Sequence, residues 1–561
     1  MDWNRFSHNR SRWQLSARAT LCVVALLAVL FAGLEWIAHR PSPVRATITQ
    51  EQIDAADANV KRAGLILRDG DLLKTHPFGP QWTSHSLLVP AAWLGEPGIK
   101  LILGPRRVRA DLLLADLDVL QPVMERAYGG WDSAAARGWS WSQWFGNWRR
   151  MLAAKGSAEL SFNEAFAPVD ALMSFQRDNH TQIPLDRWST SDGSQTAVLA
   201  GMPNAPCKEI RAGGRSYSIS LTDAAQHIRK AKLWRLGADE FLDADYITMP
   251  SSFGPPQAVL CSGTRIRLEP VGGRSGGGLS FALSALWSAL RPKRPVIRRL
   301  GEGVVYVRLP TFNWRNYHNV SETGWPRRQP GDRVLVVDLR DNEGGSEDYG
   351  LAILRGWIDE QSMVPFRNLG TQINSSCLFA PLKWNSMVQS SPAVLSDAKG
   401  YMQGLLDRMA QFYPSDCPRT VDTNPSKWSY PRRRFDPKPG EMRVVALVDS
   451  LCASDCELLA ERLASLPEAI VAGVNTFGVG QFIQPGYSVL PHTGLPFRIA
   501  LGMSNFYGDS RSYDGYGLDV DIVVPKVDSL QDNQLRELAQ IVEKLPSDCA
   551  RGHKNENRSA R

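Results

Sequence analysis

An α/β protein, with a mixed sheet flanked by helices, is what this sequence predicts. Three segments carry that prediction. Val334–Arg340, Val444–Val448 and Ala469–Val474 are apolar runs of strand length. Each runs into a turn of small residues: Asp341–Gly345, Asp449–Ser454 and Asn475–Gly480. An amphipathic helix follows the second turn, so Ser454 lies at a strand-to-helix junction. There the unpaired N–H groups and the positive end of the helix dipole can stabilise an oxyanion. A capping serine is the other reading of that position.

The remaining elements follow in chain order. Residues 1–18 form a short basic head with Arg5, Arg10, Arg12 and Arg18. The apolar run 19–38 is near the minimum length for a bilayer span. Arginines upstream place the head inside, so the run reads as an uncleaved signal-anchor with the body exported. That predicts a single-pass inner-membrane protein whose body stands in the periplasm or another extracytoplasmic space. Residues 39–118 read as a linker and a small β-rich module. Residues 119–185 are Trp-rich and helical. In that stretch Phe162, Phe166, Val169, Leu172 and Met173 share one helical face, before Asp178 and His180. Residues 186–295 form a β-rich insert, either diverged PDZ-like or a barrel. Residues 296–530 are the core, interrupted by a long Pro-, Ser-, Trp- and Arg-rich insertion at 357–440 that reads as a lid or specificity loop. Residues 531–561 are a helix and a polar tail.

The order strand–DLRxNxGG, strand–SxASxxE–helix, strand–GxxTFGxG resembles the core of the S41 serine peptidases, which include the tail-specific proteases and the tricorn core protease. The resemblance spans roughly residues 120–185 and 295–525. It implies a ClpP/crotonase-like mixed sheet with an N-terminal helical cap, and serine-type hydrolysis of peptides or unfolded proteins. The nucleophile falls on Ser454. Gly344 or Gly345, with the N–H of Asp455, falls on the oxyanion hole. One departure is clear: where tail-specific enzymes carry a basic lysine, this chain has Val479. The segment Asp178-Asn179-His180-Thr181 resembles the branch that includes tricorn, in which a histidine is the base. His180 is therefore the expected proton acceptor, with activity falling as it protonates near pH 6 to 7. Asp514 matches a relay glutamate one methylene longer, and Asp178 and Thr181 are alternative orienters of His180. Two other readings stand beside the peptidase: a non-catalytic ligand- or peptide-binding protein on the same fold, as in retinoid-binding modules, and another acyl hydrolase.

Composition excludes several classes. The net charge is +7 without a long basic block, so nucleic acid is not an expected partner. The glycine-rich Gly272–Gly278 lacks the lysine of a phosphate loop. Histidines and cysteines show no zinc-like spacing, so neither metal nor cofactor is expected. Of eight cysteines, Cys22 lies in the apolar run. Cys377 and Cys417 are expected to close a loop in the insertion. Cys452 and Cys456, spaced i, i+4 around the serine, are expected to stay unbonded because helix geometry does not readily bridge them.

Overall fold

The computed structural model describes residues 107–545 with interruptions, chiefly 185–193, 201–206, 219–227, 273–292, 313–324, 359–371, 389–403, 406–420, 423–441 and 504–513. The head 1–18, the anchor 19–38, most of 39–118, the Cys377–Cys417 pair and the tail after 545 fall outside the described residues. Among the described residues, no helix is long and apolar enough to cross a membrane.

The strands are β1 (Arg107–Arg109), β2 (Glu159–Ser161), β3 (Ser194–Leu199), β4 (Cys207–Ala212), β5 (Arg215–Ser218), β6 (Ile228–Leu233), β7 (Leu242–Pro250), β8 (Pro256–Cys261), β9 (Thr264–Gly272), β10 (Val296–Gly301), β11 (Val304–Arg308), β12 (Val334–Asp338), β13 (Gln372–Asn374), β14 (Val421–Asp422), β15 (Arg443–Val448), β16 (Ala469–Gly473), β17 (Phe482–Val489), β18 (Pro496–Met503) and β19 (Ile522–Val523). The helices are α1 (Ala110–Ala127), α2 (Trp131–Ala136), α3 (Trp141–Ala153), α4 (Phe162–Gln176), α5 (Glu347–Leu354), α6 (Phe379–Val388), α7 (Asp455–Ala464) and α8 (Asp532–Lys544).

The fold is mixed α/β, as expected. Its large sheet has the order β10-β11-β12-β15-β16-β19-β6-β7-β3-β9-β8-β4-β5. The run β11-β12-β15-β16-β19-β6 is parallel, with β10 antiparallel at the edge. All five residues of β12 and of β16 are buried. The reason is the period of two along a strand. Leu335, Val337, Val444 and Ala446 pack on one face with α5 and α7. Val334, Val336, Val445 and Leu447 pack on the other with α8. Helices on both faces force near-continuous hydrophobicity in the strands. In the β3–β9 region a disulfide, Cys207–Cys261, joins directly paired residues of β4 and β8.

A second sheet, β14-β13-β18-β17, carries the N-terminal helices. α1, α3 and α4 share one apolar cluster with β17 and β18. Trp144 and Trp148 are buried in it, and their indole N–H groups donate to the carbonyls of Pro168 and Ala165, each at 2.8 Å. A buried indole needs such an acceptor. Asp116 of α1 ties this layer to the β17–β18 turn by accepting from the N–H groups of His492 and Thr493. Position 119, expected as a domain boundary, lies inside α1. Two pieces of the 357–440 stretch are built into the fold. β13 pairs with β18, and Leu382 of α6 packs against Gly486 of β17.

Candidate active site

Three loops meet at the carboxyl ends of the parallel strands β12, β15 and β16, the edge where open α/β sheets bind ligands. The first is built on the DLR sequence. Asp338 and Arg340 are buried, and the guanidinium grips the carboxylate through two bonds of 2.8 and 2.6 Å. Tyr306 adds a 2.6 Å hydroxyl donor. Burial alone would raise the Asp338 pKa, but Arg340 brings it below the usual carboxylate range. This pair shapes the loop and faces away from the chemistry. Asn342 then crosses the loop, donating to Leu309 O and accepting from Gly344 N–H, both at 2.8 Å.

The second loop holds the serine. Asp449 ends β15 by accepting from the N–H groups of Leu451 and Cys452 at 3.1 and 3.0 Å, and from Asp341 of the first loop at 3.0 Å. Ala453 N–H donates to Asn342 O. Ser454 follows at φ 57°, ψ −124°. A non-glycine residue there stores on the order of 1–3 kcal/mol and persists only where its surroundings over-determine it. A serine on a strained strand-to-helix turn presents its hydroxyl outward, the mechanics of a nucleophile elbow. Ser454 and Glu457 form a capping box at the start of α7, in which the Ser454 N–H donates to the Glu457 carboxylate at 3.1 Å, and the N–H of Glu457 also donates to the Ser454 carbonyl at 2.8 Å.

Cys452 and Cys456 are disulfide-bonded, with Cα atoms 5.3 Å apart, which corrects the expectation that they stay free. The i, i+4 spacing is not a helical one. Cys452 precedes the positive-φ serine and lies outside α7, so the chain reverses between the two sulfurs.

The third loop, Asn475–Gly480, is fastened to the second by Glu457. This buried carboxylate accepts from Ser454 N–H at 3.1 Å, Gly478 N–H at 2.7 Å, Val479 N–H at 2.9 Å and the Thr476 hydroxyl. Burial pushes its pKa up to about 7 against the pull of these donors. The sequence motif contains Glu457, but its spacing from Ser454 did not disclose that it binds two loops together.

Gly344 lies against the serine. A Cβ added there would stand 3.0 Å from Ser454 Cβ, 2.7 Å from Ala453 O and 3.1 Å from Asp455 N. With φ +92° as well, only glycine fits. Its N–H is already given to Asn342. Among the described residues, neither Gly345 N–H nor Asp455 N–H donates to a protein acceptor. Of the expected oxyanion donors, Gly345 and Asp455 are therefore the available pair.

His180 follows α4. The segment after α4 is anchored to β18, where Gln182 and Arg498 exchange N–H···O bonds of 2.8 and 2.9 Å. Asp178 accepts from the backbone N–H groups of His180 and Thr181 at 2.8 and 3.0 Å. It orients the loop backbone and not the ring. Thr181 Oγ1 accepts from Ala500 N–H. The His180 ring makes no hydrogen bond among the described residues, so none joins it to Ser454 here. Burial, then the charges of Arg498 and Lys383, hold its pKa down to about 3. The imidazole is neutral throughout the physiological range.

Asp514 is buried and accepts from Gln481 N–H at 2.7 Å. Burial, with Asp178 and Glu457 nearby, raises its pKa well above the carboxylate range. It stands with Asp178 and Tyr128 behind the site and makes no bond to the His180 ring.

The charged residue that sequence reading missed is Lys383, on α6. Its field reaches both His180 and Asp455. It comes from the insertion, where no motif marks it. The only cue was a lone charge in the ten-residue apolar helix FAPLKWNSMV. Asp455 itself has its carboxyl pKa pushed up to about 7 by burial and by Glu347. Among the described residues, no group of acidic, histidine or cysteine side chains could hold a metal.

Residues 303–524 match the profile of peptidase family S41. No curated protein matches the chain. Among solved structures, mature CPAF is 14% identical over 80% of this chain and 99% of its own, with a TM-score of 0.36. The photosystem II D1 C-terminal processing protease is 13% identical over 78% of this chain and 98% of its own, with a TM-score of 0.31. The tricorn protease is 11% identical over 77% of this chain and 37% of its own, with a TM-score of 0.32. The segment 303–524, which holds Ser454 and the three loops around it, belongs to peptidase family S41.

Proposed function

We propose that this chain is a serine peptidase acting on peptides or unfolded proteins. Ser454 Oγ attacks the scissile carbonyl carbon while its proton passes to neutral His180. The carbonyl oxygen becomes an oxyanion that Gly345 and Asp455 N–H groups stabilise. Collapse of that intermediate breaks the C–N bond, and His180 returns the proton to the leaving amine. Water then attacks the acyl-serine by the same route in reverse. The ring, unbonded in this resting structure, must close on Ser454 when substrate enters. Catalytic hydrogen bonds often tighten only in the substrate complex.

The observation that carries this reading is the serine itself. It is held in a strained strand-to-helix turn, beside a glycine loop within a peptidase-family segment. The basic head before the apolar run 19–38 and the two disulfides of the body support an extracytoplasmic location.

The test is fluorophosphonate labelling of the full chain in detergent, with casein digestion alongside. Labelling of the parent but not of Ser454→Ala, together with loss of digestion, is expected. A parent that neither labels nor digests would establish the ligand-binding reading instead, while hydrolysis of esters alone would mark another acyl hydrolase.

A further inference from the structure

Phe312 and Gly345 form an isolated parallel bridge just beyond β11. Phe312 N–H donates to Gly344 O at 2.9 Å, and Ser346 N–H donates to Phe312 O at 3.0 Å. Phe312 is itself fixed, fully buried between α5 and α7. A Cβ added at Gly350 of α5 would stand 2.8 Å from its ring and 2.9 Å from Leu459 of α7. The two bonds set the peptide planes on either side of Gly345. In a trans peptide the C=O and the N–H point in opposite directions. The Gly344 carbonyl faces Phe312, so the Gly345 N–H faces away from it. The Ser346 N–H faces Phe312, so the Gly345 carbonyl faces away as well. Neither group has a protein partner among the described residues. Gly345 therefore presents one donor and one acceptor on the same edge. That edge adjoins the nucleophile, because Gly344, the preceding residue, is the one whose added Cβ would stand 3.0 Å from Ser454 Cβ and 3.1 Å from Asp455 N.

A donor and an acceptor on one residue are what an antiparallel strand pair exchanges, each of two facing residues giving the other both N–H···O bonds. Once the scissile carbonyl oxygen takes the Gly345 N–H, the same substrate residue turns its own N–H to the Gly345 carbonyl. We propose that the Gly345 C=O is the acceptor for the amide N–H of the residue whose carbonyl is cleaved. A parallel arrangement would spread the two bonds over two substrate residues, the second on the leaving side, and that bond would depart with the amine. Antiparallel pairing keeps both bonds on the acyl side, so the carbonyl stays in place while water attacks. The site then selects carbonyls of N-acylated amino acids. It rejects proline at the cleaved residue, and simple esters, because neither carries that N–H. The inference rests on the peptidase reading and adds the substrate class to it.

Gly345 has φ +132°, which a side chain rarely adopts, so the test alters the substrate and not the protein. A fluorescent casein-derived peptide would be scanned by replacing each amide N–H in turn with an ester oxygen. Anisotropy with the full-length Ser454→Ala protein would read binding, and mass spectrometry of the parent's digest would locate the cut. The ester at the cleaved residue should weaken binding at least about tenfold, the loss of one hydrogen bond with its acceptor left unpaired, and should lower kcat/KM in the parent by a similar factor. Proline should be missing from the residue before the cut across a casein digest. Equal binding and equal turnover of amide and ester at that residue would overturn the proposal and leave the peptidase reading intact. So would a largest loss at the second residue after the cut, which marks the parallel arrangement. A sensitive N–H in a peptide that the parent never hydrolyses would sink the peptidase reading and leave the backbone edge standing.

Discussion

The two walls of the cleft are held in different ways. On the nucleophile side, almost every polar group in the turns is used. Asp449, Asn342 and Glu457 each bridge loops, a disulfide closes the elbow, and Ser454 sits in a strained conformation that these bonds maintain. On the base side, Asp178 and Thr181 anchor the backbone, but the His180 ring is not itself bonded. His180 has no bonded ring partner, and Lys383 has no counter-ion in contact. Apolar packing of α1, α3 and α4 onto β17 and β18 positions that wall. The difference separates two tasks. The nucleophile and oxyanion donors must be fixed before substrate arrives, because reorganisation during reaction would cost rate. In the proposed peptidase the base can wait for substrate to complete its contacts.

The base side offers the largest expected effect. His180→Ala should lower kcat/KM by about 10³-fold or more, with folding intact, because members of one catalytic unit fail together. Its depressed pKa also moves the pH profile. The ring stays neutral from neutrality down toward pH 3, so the acid limb of activity should lie well below the pH 6 to 7 expected from an ordinary histidine. For stability the sign follows directly. With a folded pKa below the unfolded value of about 6.5, the group's contribution is complete above that value and is lost as pH falls toward 3. A pH–rate profile with its inflection at 6.5 would break the contrast, since it would mean the ring is solvated like any surface histidine.

On the nucleophile side the penalty should appear first as stability. Glu457→Ala would strand three N–H donors and a hydroxyl, and should cost about 3–5 kcal/mol in urea unfolding. Glu457→Gln should be costly too, because its amide N–H group would face donors. A loss below about 1 kcal/mol would show that the loops do not depend on this hub. Cys456→Ser should have the smallest effect. Closing so short a loop is worth about 2 kcal/mol in the chain-entropy account, and the hydrogen bonds of the elbow remain. Unfolding midpoints with and without reductant would check it. A complete loss of fluorophosphonate labelling on reduction would mean that the disulfide, and not the hydrogen bonds, holds Ser454 strained.

The sequence made the first wall legible because its signals are local. Apolar runs such as VLVVD and VVALV can only be buried strands here, and Gly344 of the first loop stands where a side chain would collide. The disulfide was misread for an equally local reason. A spacing of i, i+4 reads as helical, but the positive φ of Ser454 breaks the helix between the two cysteines. The second wall was less legible because tertiary contacts assemble it. His180 could be named from its resemblance, but its shift depends on Arg498 and Lys383, 318 and 203 residues further along (498 − 180 and 383 − 180). The 357–440 stretch reads as a lid or specificity loop, and within it β13 pairs with β18 and α6 packs against β17. Short elements in a polar, proline-rich segment carry too few residues for a period to emerge.

From Arg498 to Met503 the outer edge of β18 is occupied. Arg498 is bonded by Gln182, the Ala500 N–H by Thr181, the Ala500 carbonyl by Gly129, and Gly502 and Met503 are paired with β13. An extended peptide that adds itself to a sheet needs a free row of N–H and C=O groups. This row has none to give. A chain entering the cleft cannot be read here through its backbone as an added strand. On this side, recognition falls to side chains, and a substrate must be chosen by what it carries and not by how readily it extends.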